Sequence, residues 1–171
     1  MTERLYFAYG SNMSTRRLQQ RVRVVEVVTV AWLEGHRLKF HKKSHDGSAK
    51  CDIEQTGAPG DRVYGVVFRL PASDKPALDA MEDLGRSYAE KRVVVNSPAG
   101  EQYEAFTYYA LVMDPQMKPY SWYKEHVLRG AREHHLPPEY ISCIERVAAV
   151  PDLDAERHGG ELLIYDDLHE T

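Results

Sequence analysis

The stretch Leu5-Tyr6-Phe7-Ala8-Tyr9-Gly10-Ser11-Asn12-Met13 constrains the fold of this chain most. Leu5 to Tyr9 is aromatic, apolar and uncharged, which predicts a short strand. Gly10, Ser11 and Asn12 then break it. Glycine tolerates positive φ and lets other groups approach the backbone closely, and Ser and Asn are small polar turn formers. Ser14 stands where the N-cap of a helix running to about Arg21 belongs. A strand that feeds a tight turn and then a helix start is either an ordinary structural turn or a place where backbone N–H groups converge on an anion or a developing oxyanion.

The remaining chain is rich in strand signals. Val22 to Leu33, including Val25, reads as a long β segment buried on both faces near its centre. Arg37 to His41 alternates as a second strand, Lys42 to Lys50 reads as a mobile polar loop, and Cys51 to Thr56 as a further strand. Gly57 to Asp61 turns the chain into Val63–Leu70, the strongest short strand, in which Gly65 marks a bulge or the close approach of another backbone. Ser73 is placed to cap a helix to about Leu84, with Gly85 as its stop, and strands follow over Tyr88–Val95 and Gln102–Val112. Past the Pro-containing connector Met113–Tyr120, Ser121 caps a helix to about His134. Pro138 opens another over Glu139 to about Ala149, and the chain from Pro151 reads as polar and frayed, with Leu162 to Tyr165 able to dock. Helices interrupt the strands without regular βαβ alternation. The expected class is therefore α+β: a mixed β-barrel or strongly curved mixed sheet with peripheral helices, one domain over residues 1–171 with 152–171 as a mobile or docking tail.

Charge and cysteine content narrow the functional classes. With 26 acidic against 22 basic residues, the chain offers no electrostatic footprint for nucleic acid. Cys51 and Cys143 lie far apart without metal or disulfide spacing, which fits a reducing compartment. The N-terminus lacks an apolar signal core and no run reaches membrane-spanning length, so a cytoplasmic protein is expected, monomer or homodimer.

Glu82 is the acid that stands out. It lies four residues after Leu78, on the side of the helix marked by Leu78 and Met81, in the last turn where the helix dipole disfavours negative charge. Such a carboxylate is suited to take up a proton and return it; the plain alternative is a solvated glutamate on an acidic helix that also carries Asp79 and Asp83. The histidines do not converge: His126, His134 and His135 share a helix without a Cys or carboxylate to complete a metal set, and no metal site is expected. No Gly-x-Ser-x-Gly elbow and no phosphate-cradling glycine loop ending in Lys occurs. Tyr123, in the first turn of the Ser121 helix, is either packing or a ligand contact.

Together these segments resemble the γ-glutamylcyclotransferase family, which includes γ-glutamylamine cyclotransferases. The resemblance rests on Tyr6-Phe7-Ala8-Tyr9-Gly10-Ser11-Asn12, Pro59 to Phe68, Leu78-Asp79-Ala80-Met81-Glu82 followed by Tyr88, and Tyr120-Ser121-Trp122-Tyr123 with Gly130-Ala131-Arg132 and Leu136 to Tyr140, in the family's order from Tyr6 to about Val147. It implies a mixed barrel and a cofactor-independent reaction that turns a γ-glutamyl compound into 5-oxoproline and a free amine. It also implies that Tyr6, Phe7, Ala8, Tyr9, Gly10, Ser11 and Asn12 bind the γ-glutamyl group, that Glu82 is catalytic, and that Tyr123 contacts substrate. Asp83 departs from the glycine that many members carry after the catalytic glutamate. A non-enzymatic module binding γ-glutamyl compounds on the same fold is the competing class. The leaving amine is expected against the Lys42–Lys50 and Met113–Tyr120 segments.

Overall fold

The computed structural model describes residues 2–24 and 26–169, the side chains of Leu168 and His169 excepted; Val25 and the tail residues Glu170 and Thr171 lie outside the described residues. Five strands close into a barrel in the order β1 (Glu3–Ala8), β5 (Arg62–Pro71), β2 (Glu26–Glu34), β6 (Tyr88–Asn96) and β7 (Gln102–Ala110). Every neighbouring pair is antiparallel except β7 with β1, which meet in parallel at Tyr6 and Phe106. β3 (His36–Lys43) and β4 (Ala49–Gln55) form a separate two-stranded sheet. The expected mixed barrel with peripheral helices is the fold found.

β5 lies between β1 and β2. Its Val63, Val66, Val67, Phe68 and Leu70 are buried, and each such side chain contributes roughly 1.5–3 kcal/mol on burial. Gly65 has the close neighbour expected of it: a Cβ there would stand 2.4 Å from the Ala8 carbonyl oxygen and 2.7 Å from the Phe7 ring. β2 departs from the segment, buried on both faces near its centre, expected from its valines. Val22 and Val24 precede the strand, Val27 is exposed, and only Ala31 and Leu33 of the strand are buried. The valines suit a half-covered pleated surface as well as a core.

Ser11–Met13 forms a 3-10 turn, and Ser14 caps α1 (Thr15–Gln19) by accepting the Arg17 N–H at 3.4 Å. α2 (Lys75–Met81) is shorter than expected: a 3-10 turn over Ala72–Asp74 precedes it, and Asp74, not Ser73, takes its N-cap position. α3 (Ser121–Glu133) lies against the Ser11–Met13 turn, and Gly130 permits the contact, since a Cβ would fall 2.5 Å from the Met13 carbonyl carbon and the Ser14 nitrogen. Tyr120, one residue before Ser121, holds the N-cap position of α3, and α4 spans Pro138–Glu145. The turn after β1, α1, α3 and the end of α2 meet at the barrel mouth at which β1 ends.

Two segments differ from their sequence reading. Lys42–Lys50 is no free loop: Lys42 and Lys43 belong to β3, Ala49 and Lys50 to β4, and a turn between them is held by the Ser44 N–H on the Ser48 carbonyl at 3.1 Å. After Pro151 the chain forms α5 (Ala155–Leu162), capped by Asp154, and a 3-10 stretch over Leu163–His169. Asp152 joins this segment to the body, accepting the Trp122 indole N–H at 2.8 Å and a fork from Arg157 at 2.6 and 2.7 Å. Tyr165 docks and is buried.

Candidate active site

The end of β1 and the turn after it open onto a small inner cavity of about 40 Å³. Tyr6, Tyr9, Gly10, Ser11 and Asn12 line it, facing Cys51, Glu82, Tyr88, Tyr108 and Tyr123 from β4, the end of α2, β6, β7 and α3. An outer vestibule of about 240 Å³ shares Ser11, Glu82, Tyr88 and Tyr123 with it and adds Arg17, Arg21, Lys42 and Lys50. Glu82 therefore stands at the junction of the two spaces.

The local structure explains how Glu82 is held there. Leu78, fully buried, anchors α2. Tyr108 of β7 donates its hydroxyl to Asp79 at 2.6 Å and ties the same helix to the barrel. The helix then stops at Glu82. The Asp83 N–H returns to the Ala80 carbonyl at 3.1 Å and the Leu84 N–H to the Asp79 carbonyl at 3.0 Å, the Schellman arrangement. Asp83 accordingly takes a positive φ of 51°. A glycine adopts that conformation freely, and Asp is among the few other residues that tolerate it. The Asp83 departure is thus accommodated without displacing the glutamate. Met81, expected in the apolar stripe, is exposed at the vestibule rim.

Glu82 is mostly buried, its side chain 15% exposed. Asn12 Nδ2 donates to its Oε1 at 3.1 Å and also to the Tyr6 hydroxyl at 3.1 Å. Arg21 Nη1 lies 3.4 Å from the same carboxylate oxygen and donates to Asn12 Oδ1 at 3.1 Å. Tyr6, Asn12, Arg21 and Glu82 are therefore one connected polar group. Burial, and then the Glu82 charge, push the Tyr6 hydroxyl well above its ordinary value, so it stays a neutral phenol.

Gly10 owes its place to crowding rather than to positive φ. Its φ is −111°, and a Cβ there would meet the Cys51 Cβ at 3.0 Å and the Tyr123 hydroxyl at 3.3 Å. That hydroxyl accepts the Cys51 N–H at 2.9 Å, and Tyr88 donates to the Cys51 carbonyl at 2.8 Å, so Cys51 is the fixed back wall. Burial pushes the Cys51 thiol up to about 12, which leaves it protonated and inert. Burial also raises Tyr9, Tyr88 and Tyr123, which remain neutral. The N–H groups of Gly10, Ser11 and Asn12 open the 3-10 turn and have no hydrogen-bond partner among the described residues.

Tyr6, Tyr9, Gly10, Ser11, Asn12, Glu82 and Tyr123 come together around one space. Phe7 and Ala8 do not line it: both are buried in the barrel core, Phe7 against Gly65 and Tyr9. Residues not singled out from the sequence complete the site. Arg17 and Arg21 are spaced four apart after the turn, the spacing that puts two side chains on one helical face; that was a readable signal. Arg17, buried, donates from Nε to the Ser11 hydroxyl at 3.1 Å and pairs with Glu161 of α5 at 2.5 Å. Tyr108 and Lys42 carried no comparable local signal.

Comparison with known proteins converges on these residues' family. The AIG2-like family model matches residues 62–144. The γ-glutamylcyclotransferase of Mus musculus is 34% identical over 152 residues, covering 84% of this chain and 78% of that protein. Its Bos taurus counterpart is 32% identical over 149 residues, covering 80% and 74%. A solved γ-glutamyl cyclotransferase structure aligns with a TM-score of 0.80 at 29% identity, over 87% of this chain and 90% of that one. With the barrel, the tyrosine-rich mouth and the buried glutamate in the expected order, the chain belongs to the γ-glutamylcyclotransferase family.

Proposed function

We propose that this protein converts a γ-glutamyl amino acid or γ-glutamyl amine into 5-oxoproline and the free amine, with Glu82 as proton shuttle. The observation that carries the reading is the Glu82 carboxylate, held by Asn12 and Arg21 where the inner cavity meets the vestibule. The γ-glutamyl half enters the inner cavity and the leaving amine extends into the vestibule.

The substrate carries its own nucleophile. Held in an attack conformer, its α-amine gains the proximity advantage of an intramolecular reaction, worth roughly 7–11 kcal/mol when well oriented. Glu82 takes a proton from the α-ammonium, and the freed nitrogen attacks the γ-carbonyl carbon. The free N–H groups of Gly10 to Asn12 are the donors placed for the tetrahedral oxyanion or for the glutamyl α-carboxylate; one oxyanion donor is typically worth about 3 kcal/mol. Glu82 delivers its proton to the departing nitrogen, and a second proton follows from the newly bonded nitrogen. The C–N bond breaks, the amine leaves protonated and the carboxylate is restored. The ring closure itself calls for no acyl-enzyme, metal or cofactor.

The same reading places the protein in glutathione-linked γ-glutamyl turnover in the cytoplasm. Two free cysteines support a reducing location, and among the described residues no helix is long and apolar enough to cross a membrane. The test is 5-oxoproline release from a panel of γ-glutamyl amino acids and γ-glutamyl amines. Release from at least one is expected; a folded protein that releases none while binding 5-oxoproline would be a binding module.

A further inference from the structure

Four Lys and Arg side chains line the vestibule together with Glu82, and three of them already have an acid. Arg17 pairs with Glu161 at 2.5 Å, Arg21 with Glu82 at 3.4 Å and Lys50 with Asp46 at 2.7 Å. Lys42 differs. It is 5% exposed, its Nζ donates to the Ser44 hydroxyl at 3.1 Å and lies 4.9 Å from the centre of the Tyr88 ring. Among the described residues no carboxylate stands within 4 Å of it. A buried ammonium without a counter-charge is costly. Burial works against its charged form, and only the more distant Glu82, Asp46 and Asp83 carboxylates support it.

The backbone is built to keep Lys42 there. The β3–β4 pairing slips between Phe40 and Lys42, a bulge of the kind that re-aims one side chain. After the slip Lys42 is buried while Lys43 is exposed. Lys42 pairs with Lys50 on one side and bridges Met113 on the other, so its strand is fixed from both edges. It lines the vestibule and not the inner cavity. Its charge therefore faces the space into which the leaving amine extends, not the space assigned to the glutamyl half.

We propose that Lys42 is a specificity residue that receives a carboxylate on the leaving amine, so that this protein prefers γ-glutamyl compounds whose amine carries an acid group to those of simple amines. The assignment rests on the cyclisation proposed above and adds the chemistry of its second product. The arriving carboxylate supplies the counter-charge that Lys42 lacks, and the Tyr88 ring and the Ser44 hydroxyl hold the ammonium in place for it.

The test compares γ-glutamyl-alanine with γ-glutamyl-ethylamine, which differ only in the leaving-group carboxylate. 5-Oxoproline release is measured for wild type, Lys42→Met and Lys42→Arg, each checked for folding by thermal melting. Wild type should favour the alanine conjugate in kcat/KM. In Lys42→Met the ratio of the two kcat/KM values should fall about 10- to 100-fold, mainly through KM for the alanine conjugate, as expected for loss of a charge-assisted hydrogen bond. Lys42→Arg should restore most of the ratio. A ratio that holds while both rates fall would overturn the proposal, because Lys42 would then serve the glutamyl half or Glu82. A wild type with no preference would overturn it too. Release from neither conjugate by wild type would remove the reaction itself, a result separate from loss of preference.

Discussion

Asn12 links three roles in one side chain. Its amide nitrogen serves both Tyr6 and Glu82, and its amide oxygen accepts from Arg21. The Glu82 carboxylate and the turn after β1 are thereby one mechanical unit. Gly10 is the weakest point of that unit, because its space is already taken by Cys51 and Tyr123, and Tyr123 is pinned by the Cys51 N–H. Gly10→Val should displace the turn and lower kcat/KM about 100-fold, the size expected from a misplacement of about 1 Å. Steady-state kinetics on any accepted γ-glutamyl compound checks this, and normal kinetics would mean that the turn does not form the binding wall. The strand and turn over Tyr6 to Asn12 were legible because strand, breaker and cap signals are local, whereas a binding role for them came only from the family resemblance. Phe7 and Ala8 were not separable from their neighbours: Tyr6, Phe7 and Ala8 are all buried, so alternation does not tell cavity from core.

At the scale of elements, the site depends on α5, which reaches it through α1. Glu161 of α5 pairs with Arg17, Arg17 holds Ser11, and Tyr165 donates to Ser14 at 2.8 Å while its oxygen faces His126 Nδ1 at 2.6 Å. His126, fully buried on α3, also meets Arg17 at 3.0 Å and Glu161 at 3.1 Å through Nε2. Burial pushes Glu161 up, but the His126 hydrogen bond and the Arg17 charge outweigh it and hold the carboxyl at about 2, against an ordinary 4.5. A depressed carboxyl contributes stability above its unfolded value, and that contribution is lost as pH falls from about 4.5 to about 2. Burial lowers His126 below its ordinary 6.5, so its neutral packing adds stability above that pH and loses it below. The 155–165 segment should therefore loosen first below about 6.5 and again below about 4.5. Amide hydrogen exchange across that segment would show it; protection independent of pH over this range would contradict the coupling. This docking was only half visible beforehand. Leu162 to Tyr165 reads as apolar, but the polar first half is ordered through Asp152, whose partner Trp122 lies 30 residues away in the chain.

The molecule as a whole is a barrel at one mouth of which α1, the end of α2 and α3 meet, and the candidate site is a property of that meeting. β1 and the turn after it bring the N–H groups, the end of α2 the glutamate, α1 and the turn that follows it Arg17 and Arg21, and the β3–β4 hairpin Cys51 and Lys42. The α+β class follows from apolar patterning, which is dense in β5, whereas the strand order does not. Nor does the hairpin's place over the mouth, because it is set by long-range bonds such as the Ala110 N–H on Asp52 at 2.7 Å and Tyr88 on Cys51. The polar sequence Lys42–Lys50 reads as loose for the same reason: its order comes from a bulge and from the Met113 bridge, neither written in local propensity. All of these parts converge on one carboxylate, so the most direct measurement is single-substrate 5-oxoproline release by the intact protein, wild type beside Glu82→Gln. Glutamine keeps the size of the side chain and loses its ability to carry the proton. Turnover in the variant should fall roughly 100- to 10,000-fold, the usual range for loss of a general acid–base, with melting and substrate binding retained. Turnover within a few-fold of wild type would contradict the assignment of the proton to Glu82.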